Sequence, residues 1–178
     1  ALVYFNGYYH CYYQTNPFGQ YWDEMFWGHA RSIDLIHWEF LPICLFPENY
    51  SEFGSDRAFM WSGCAVAYYK GMSAEIDALN WFPQGNGDGI YAVFTRDGAL
   101  QDQVIMSSDD NGFTWTKRIK LPQSLSGYEH RIDYRDPKVF PLVRDGHYVG
   151  YDSLEYEFKQ RLFLKFTRFN SLVSCWCL

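Results

Sequence analysis

Arg135 and Asp136 stand side by side in the sequence, and each carries a group that can do chemistry. A carboxylate can transfer a proton, attack as a nucleophile or stabilise positive charge as it develops. A guanidinium beside it favours the ionised form and can orient it through hydrogen bonds. On its own, the pair is also typical of exposed neighbours that contribute little energy. Support for a site must therefore come from other segments of the chain.

Two earlier segments hold further aromatic and polar residues. Gln14 ends an aromatic run and Trp22 follows it, while Trp61 and Ser62 precede an apolar stretch. Aromatic rings supply flat faces on which sugar rings can stack, although most aromatic residues simply pack in a core. Taken singly, Gln14 is also typical of a turn at a strand end, and Ser62 of an ordinary bend. Whether these residues form one site depends on the strands that position them.

Strand-forming residues dominate the composition. Of 178 residues, 48% are apolar and 21% aromatic, which favours an all-β fold with a real core. The net charge of −6 and the lack of a basic run argue against nucleic acid as a partner. No apolar run approaches the roughly 18 residues of a membrane span, so we expect no membrane partner.

The cysteines form no metal pattern. There are five, an odd number, and none has zinc-site spacing. Cys11, Cys44 and Cys64 lie in apolar stretches, and we expect them to be buried in strands. We predict no metal site.

Short strands separated by turn signals run along the chain. Leu2–Phe5 and Tyr8–Gln14 flank Asn6-Gly7, a strong hairpin signal. Residues 47–60 and 71–88 are predicted to be loops, and no amphipathic helix of ten or more residues is predicted. Further strands are predicted at Phe26–Ser32, Cys64–Tyr69, Ile90–Thr95, Gln103–Ser107, Lys138–Val143 and Tyr148–Tyr151.

One hairpin pattern occurs twice. Ser32–Trp38 has the form Ser-x-Asp-x-x-x-Trp, and Ser108–Trp115 has Ser-x-Asp-x-Gly-x-Thr-Trp. In each, an Asp is placed to bond backbone N–H groups of a tight turn that leads to a Trp on the next strand. Recurrence of one hairpin at a spacing of 76 positions (108 − 32) indicates a β-propeller with long loops. The alternative is two coincidental Asp turns in a β-sandwich.

Six motifs follow one another in an order that resembles glycoside hydrolase family 32, the invertases, inulinases and levanases. The resemblance covers about residues 2–150. The motifs are Tyr-Gln-x-Asn-Pro ending at Pro17, Trp-Gly-His-Ala at 27–30, Ser-x-Asp-Leu-x-x-Trp at 32–38, aromatic-Ser-Gly-x-Ala-Val at 61–66, Gln-x-Gln running into the second Asp turn from Gln101 to Trp115, and Arg-Asp-Pro-Lys-Val-Phe at 135–140.

The resemblance implies an all-β fold, the five-bladed β-propeller of that family. We expect this chain to form a partial propeller of about two to three blades with an open edge. Residues 1–150 would be the partial catalytic domain. Residues 151–178 do not resemble the family and are expected to be a divergent or aberrant tail.

The resemblance also implies roles for the candidate residues. Asp136 would be the transition-state stabiliser of a retaining glycosidase that releases terminal fructose. The residues implied to bind substrate are Gln14, Trp22, Trp61, Ser62 and Arg135, and the family more often has Phe at the position of Trp61.

Two catalytic groups of the family have no counterpart in the sequence. The family nucleophile lies in an Asn-Asp-Pro-Asn-Gly motif, and Ala1 stands where that motif should end. The acid/base Glu belongs to a Glu-Cys motif that does not occur here. Glu155 and Glu157 are nearby glutamates, but we assign neither as the acid. We therefore expect this chain to be an inactive fragment that lacks its nucleophile and acid/base.

The expected partner is a carbohydrate, sucrose or a fructan, with no cofactor. Two alternatives stay open. A non-catalytic sugar-binding propeller would keep the aromatic residues and Asp136 without the other acids. A sialidase-like propeller would share the Asp turns, but it requires an arginine cluster that is not evident. The choice among sucrose, inulin and levan, and the localisation of the protein, stay open.

Overall fold

The computed structural model describes residues 1–49, 57–72, 74–98, 101–121, 135–144, 147–155, 162–168 and 171–177. These residues form three antiparallel sheets and a short helix, α1 (Ala74–Leu79). Every strand pairs with the strand that precedes or follows it in the chain. The all-β prediction is confirmed.

The first sheet begins with the hairpin at Asn6-Gly7. Both turn residues have positive φ angles, 48° at Asn6 and 84° at Gly7, as a two-residue turn between right-twisted strands requires. The predicted hairpin is therefore confirmed. The strands of this sheet, in spatial order, are β1 (Leu2–Phe5), β2 (Tyr8–Thr15), β3 (Phe26–Ser32) and β4 (Glu39–Leu45).

The second sheet reaches into the first of the two segments predicted to be loops, residues 47–60. Ala58 and Met60 are buried, so the strand that contains them starts well before residue 61. The prediction of a loop through residue 60 was wrong there, because the polar residues ahead of Ala58 mask the start of the strand. Within residues 71–88 lies α1. The strands of this sheet are β5 (Glu48–Asn49), β6 (Arg57–Tyr68), β7 (Gly89–Asp97), β8 (Gln101–Ser108) and β9 (Thr116–Leu121).

The third sheet lies in the carboxy-terminal part of the chain. It continues past residue 150, and the predicted division of the chain at that position stays a prediction. Its strands, in spatial order, are β10 (Arg135–Arg144), β11 (His147–Glu155), β12 (Leu162–Arg168) and β13 (Ser171–Cys177).

Strand β6 is the point at which the sheets meet. It contacts β1 of the first sheet and β10 of the third. The core on the side of the first sheet includes Tyr12, Trp27, Met60 and Phe94, all at most 2% exposed. On the other side, the Sγ of Cys64 accepts a hydrogen bond of 3.0 Å from the backbone N–H of Val139. The first and third sheets thus pack on the second sheet through their first strands, β1 and β10.

Both predicted Asp turns form, and they use the same bonds. In the first, Oδ1 of Asp34 accepts the backbone N–H groups of Ile36 (2.9 Å) and His37 (2.8 Å). The Oγ of Ser32 accepts the N–H of Leu35 at 2.8 Å. A hydrogen bond from the His37 side chain and these backbone bonds hold the pKa of Asp34 well below its usual range.

The second Asp turn repeats this pattern with one more residue. Oδ1 of Asp110 accepts the N–H groups of Phe113 (3.0 Å) and Thr114 (2.9 Å), and the Ser108 Oγ accepts that of Gly112 at 2.8 Å. Burial opposes ionisation of Asp110, but the hydrogen bonds from Thr114, Ser108 and Phe113 outweigh it and lower its pKa. The repeat found in the sequence is therefore a structural repeat.

The three cysteines predicted to be buried differ in exposure. Cys44 and Cys64 are buried, whereas Cys11 is half-buried, so the prediction was wrong for Cys11. Cys11 alternates with the buried residues His10 and Tyr12 along β2 and so faces the other side of the sheet. Burial raises the pKa of the Cys44 thiol to about 12, which keeps it protonated and unreactive at neutral pH.

Candidate active site

A hydrogen bond between side chains links the first two sheets at the candidate site. The Nε2 of Gln14, near the end of β2, donates to the Oγ of Ser62 on β6 at 2.7 Å. Both side chains are exposed, so they can also reach a ligand. Two residues that lie 48 positions apart therefore present an amide and a hydroxyl at one place.

Trp61 lies at the centre of the candidate residues. The Trp22 ring packs edge-on against it, with ring centroids 5.9 Å apart. The Arg135 guanidinium lies 6.0 Å from the Trp61 ring centroid. The indole N–H of Trp27 donates to the Trp61 carbonyl at 2.8 Å and fixes the backbone. Trp22 itself is 65% exposed and leaves most of its ring surface open to a ligand.

A β-bulge in β6 sets the direction of Trp61 and Ser62. Met60 pairs with Arg96 and Gly63 with Phe94, so Trp61 and Ser62 together face Thr95. Such a bulge bends the strand and re-aims the side chains at it. Gly63 permits the geometry, because a Cβ there would lie 2.3 Å from the Val93 carbonyl oxygen.

Asp136 lies on a second bulge, near the start of β10. Arg135 pairs with Glu155 and Lys138 with Ser153, so Asp136 and Pro137 share one partner position. Asp136 has a φ of +60°, a left-handed conformation that is uncommon for residues other than glycine. Backbone strain of this kind clusters at functional sites, where the surrounding structure holds it in place.

The Thr95 side chain holds the backbone of Asp136 in this conformation, and the sequence did not point to this residue. The Thr95 Oγ1 accepts the backbone N–H of Asp136 at 2.9 Å and donates to the Gln103 Oε1 at 3.1 Å. Both Thr95 and Gln103 are fully buried. The Gln-x-Gln motif contained a signal, since Gln103 is its second glutamine, but nothing in the sequence linked it to Asp136. Thr95, which lies opposite the bulge in β6, thus anchors the bulge in β10.

Arg135 and Asp136 form a loose, partly exposed pair. The Arg135 Nε lies 3.9 Å from the Asp136 Oδ2, and both side chains are slightly more than two-fifths exposed. A pair this exposed contributes little to stability. Arg135 also lies near Asp97, where burial raises the pKa and the guanidinium opposes that shift. Arg135 therefore interacts with two carboxylates, those of Asp136 and Asp97.

The structure brings the six candidates together through a chain of contacts. Gln14 meets Ser62, which adjoins Trp61, and Trp61 meets both Trp22 and Arg135. The roles assigned to these residues stay predictions. Among the described residues, no group of three or more His, Cys, Asp or Glu side chains is arranged to hold a metal ion. In the same part of the chain, no helix has the length and apolar character to cross a membrane.

Three curated proteins are similar to the chain in sequence. Levanase of Bacillus subtilis (strain 168) is 37% identical over 150 residues, 84% of this chain and 20% of the relative. Fructan beta-fructosidase of Streptococcus mutans is 36% identical over 142 residues, 79% of this chain and 9% of the relative. Extracellular exo-inulinase of Aspergillus awamori is 34% identical over 160 residues, 79% of this chain and 28% of the relative. The chain thus spans less than a third of each.

Solved structures agree with these relatives. Exo-inulinase from Aspergillus awamori superposes with a TM-score of 0.72 at 26% identity, over 98% of this chain and 36% of the other. The beta-fructofuranosidase of Schwanniomyces occidentalis complexed with fructosyl-erythritol gives a TM-score of 0.72 at 25% identity, over 98% and 33%. Both superpositions cover nearly the whole chain, including its three antiparallel sheets. The sequence model of the glycosyl hydrolases family 32 N-terminal domain matches residues 1–163, nearly the whole chain, which therefore belongs to glycosyl hydrolases family 32.

Proposed function

We propose that this chain forms part of a glycosidase that releases terminal fructose from fructans or sucrose, and that it holds the fructosyl unit at the Gln14–Ser62–Asp136 site. The observation that carries the proposal is the contact chain from Gln14 through Ser62, Trp61 and Arg135 to Asp136, which joins residues from three sheets. The names of the relatives, levanase, fructan beta-fructosidase and exo-inulinase, support fructose as the sugar.

Each group in the site has a task that fits a fructosyl ring. Gln14 and Ser62 offer an amide and a hydroxyl, which can both donate to and accept from sugar hydroxyls. The open face of Trp22 can pack on the C–H surface of the ring. Asp136 can accept hydrogen bonds from ring hydroxyls, and these strengthen as positive charge develops on the sugar. Arg135 lies beside that carboxylate and can help to orient it.

We propose a retaining mechanism for the complete enzyme. Retention uses a carboxylate nucleophile and a carboxylic acid about 5–5.5 Å apart, which act in turn on one sugar carbon. Neither residue has a match in this sequence, so Asp136 contributes only charge stabilisation here. We also propose that each of the three sheets forms one blade of a five-bladed propeller.

Fructose binding by the purified chain tests the proposal. We expect titration calorimetry or saturation-transfer NMR to detect fructose on the wild-type chain, and Asp136→Asn and Gln14→Ala to weaken binding at least fivefold. Glu39→Gln is the matched control, because Glu39 also pairs with an arginine, Arg31, at 2.7 Å, but on β4. Equal affinity in all four proteins contradicts the proposal.

A sialidase-like function predicts a different result in the same assay. The two Asp turns are the observation that favours it. A sialidase-like site recognises an acidic sugar through its carboxylate, so N-acetylneuraminic acid would bind and fructose would not. Preference for fructose excludes this alternative.

A further inference from the structure

A cavity of about 400 Å³ lies at the far end of β6 from the candidate active site. Tyr68, the last residue of β6, contributes to its wall, as do Trp81 and residues from the segment between β6 and β7. Ser62 and Tyr68 are six residues apart on the strand, which corresponds to roughly 20 Å at the rise of an extended strand. A single strand therefore carries the candidate active site near its middle and this cavity at its last residue.

Carboxylates hold the walls of the cavity in place. Asp77 accepts the hydroxyl of Tyr68 at 2.8 Å and the N–H of Gly71 at 2.9 Å. Asp88 accepts the N–H of Lys70 at 2.7 Å. The Tyr68 and Phe82 rings stack, with centroids 5.5 Å apart, beneath the segment. The cavity is therefore built before any ligand arrives, and these two acids are occupied by backbone and hydroxyl groups.

Three polar side chains around the cavity are available to a ligand. Within the described part of the chain, the Lys70 ammonium and the side-chain amides of Asn80 and Asn86 bond to no other residue, and all three residues are exposed. The methylene stem of Lys70 lies against Gly87, where a Cβ would come within 2.7 Å of it. The two asparagines have φ angles of 50° and 52°, so tight backbone turns fix where their amides start.

We infer that this cavity is a second carbohydrate site, which holds a neutral sugar residue of a polymeric substrate away from the candidate active site. Two amides and an ammonium offer both donors and acceptors, the mixture that a ring with several hydroxyls requires. A cavity lined by one cation, Lys70, and by the Asp77 carboxylate is a poor match for an anion. The volume exceeds that of one sugar ring and lies in the range of small-molecule sites. That the sugar is a fructosyl residue rests on the proposed function.

A polymer that binds at both sites binds more tightly than it would at either site alone. Once the cavity holds one part of a fructan, the remaining chain ends stay at high local concentration near the same molecule. The second site would therefore favour levan or inulin over sucrose, which is too short to span roughly 20 Å. The site increases affinity for the polymer and contributes nothing to the chemical step.

Electrophoresis of the whole chain through gels that contain levan tests the inference, with free fructose as the competitor. The test protein carries Lys70→Met, Asn80→Gly and Asn86→Gly, which remove the polar groups while glycine preserves the positive φ angles. We expect its affinity for levan to fall at least fivefold. Gln84→Ala is the matched control, because Gln84 is an exposed amide of the same segment outside the cavity wall. Circular dichroism and thermal unfolding verify that all variants fold.

The outcomes separate this inference from the proposed function. If the triple variant migrates like the wild type, or if the wild type is not retarded by levan, the second site is refuted. A further variant, Trp22→Ala, removes an aromatic group of the candidate active site alone. Retardation that survives Trp22→Ala but disappears in the triple variant supports the second site and contradicts the placement of fructose at the first. The reverse pattern retains the proposed function and refutes the cavity.

Discussion

At the scale of single residues, the backbone of Asp136 depends on a fully buried partner. Its left-handed backbone is anchored by the Thr95 hydroxyl, which is itself bonded to Gln103. Thr95 is thus a positioning residue, and the orientation of the Asp136 carboxylate follows from it. An isosteric change at Thr95 should separate this role from general stability.

Thr95→Val removes the hydroxyl that bonds to the Asp136 N–H and to the Gln103 Oε1. A hydrogen bond contributes about 0.5–1.5 kcal/mol, so we expect lower stability and fructose binding weakened several-fold. Thr95→Ser restores the hydroxyl and should recover the affinity even where it loses stability by deleting a methyl group. Calorimetry and urea denaturation measure the two effects. Val and Ser variants with equal affinity would contradict the positioning role.

Two buried histidines make stability depend on pH. The His10 Nδ1 and the His29 Nε2 lie 3.0 Å apart, and both rings are fully buried. Burial, His10 and Arg31 lower the pKa of His29 to about 4, and burial lowers that of His10. The unfolded chain therefore binds more protons than the folded one below about pH 6.5, the ordinary pKa of histidine.

We expect the histidines to leave the free energy of unfolding unchanged above pH 6.5 and to lower it as the pH drops toward 4. The two Asp turns do not interfere in this window, because their lowered pKa values cost stability only below about pH 4. His29→Gln should flatten the pH dependence, although it lowers stability overall. Urea denaturation at a series of pH values measures both slopes. An unchanged slope in the variant would show that the histidines do not set it.

At the scale of elements, two β-bulges set the direction of the side chains in the candidate active site. Both Trp61–Ser62 and Asp136 lie where two residues of one strand face a single residue of its neighbour. A regular strand would send alternate side chains to opposite faces, so Trp61 and Ser62 would diverge. The bulge lets consecutive residues contribute to one site.

Gly63→Ala tests the first bulge. A Cβ at residue 63 would lie 2.3 Å from the Val93 oxygen and 2.5 Å from the Phe94 side chain, so the strands must separate. We expect a loss of about 1–3 kcal/mol, typical of overpacking, together with weaker fructose binding. Gly19→Ala is the control, since a Cβ there meets only a side-chain atom at 3.5 Å. Thermal unfolding and titration measure the effects. A Gly63→Ala protein as stable as the control would contradict this account of the bulge.

Local sequence signals predicted the elements well and the supports of the site poorly. Asn6-Gly7 and the two Asp turns can be predicted from local sequence, because the interactions that form them lie within a few residues. The buried pair of Thr95 and Gln103 has no such signal, since polar residues in a strand are typical of a solvent-facing side. Only the folded structure shows that these two residues lie behind Asp136. The motif order predicted which residues meet, but spacing alone contains no information on bulges.

At the scale of the whole molecule, the proposed retaining mechanism requires two carboxylic groups that have no match in this sequence, besides Asp136. We predict that the purified chain does not hydrolyse sucrose, inulin or levan. Without a nucleophile and an acid, each typically worth orders of magnitude in rate, Asp136 can stabilise charge but cannot break the bond. Release of fructose, measured by a reducing-sugar assay, checks the prediction. Turnover that is lost in Asp136→Ala would contradict it and redirect attention to Glu155 or Glu157.

Each sheet is made only of strands that follow one another along the chain, and this arrangement bears on how the protein is made. Because no strand waits for a distant partner, the hydrogen bonds within a sheet close short stretches of chain, which favours rapid pairing. The first sheet, residues 2–45, can form while the ribosome is still adding β6. Newly made chain would then meet a finished surface on which to fold.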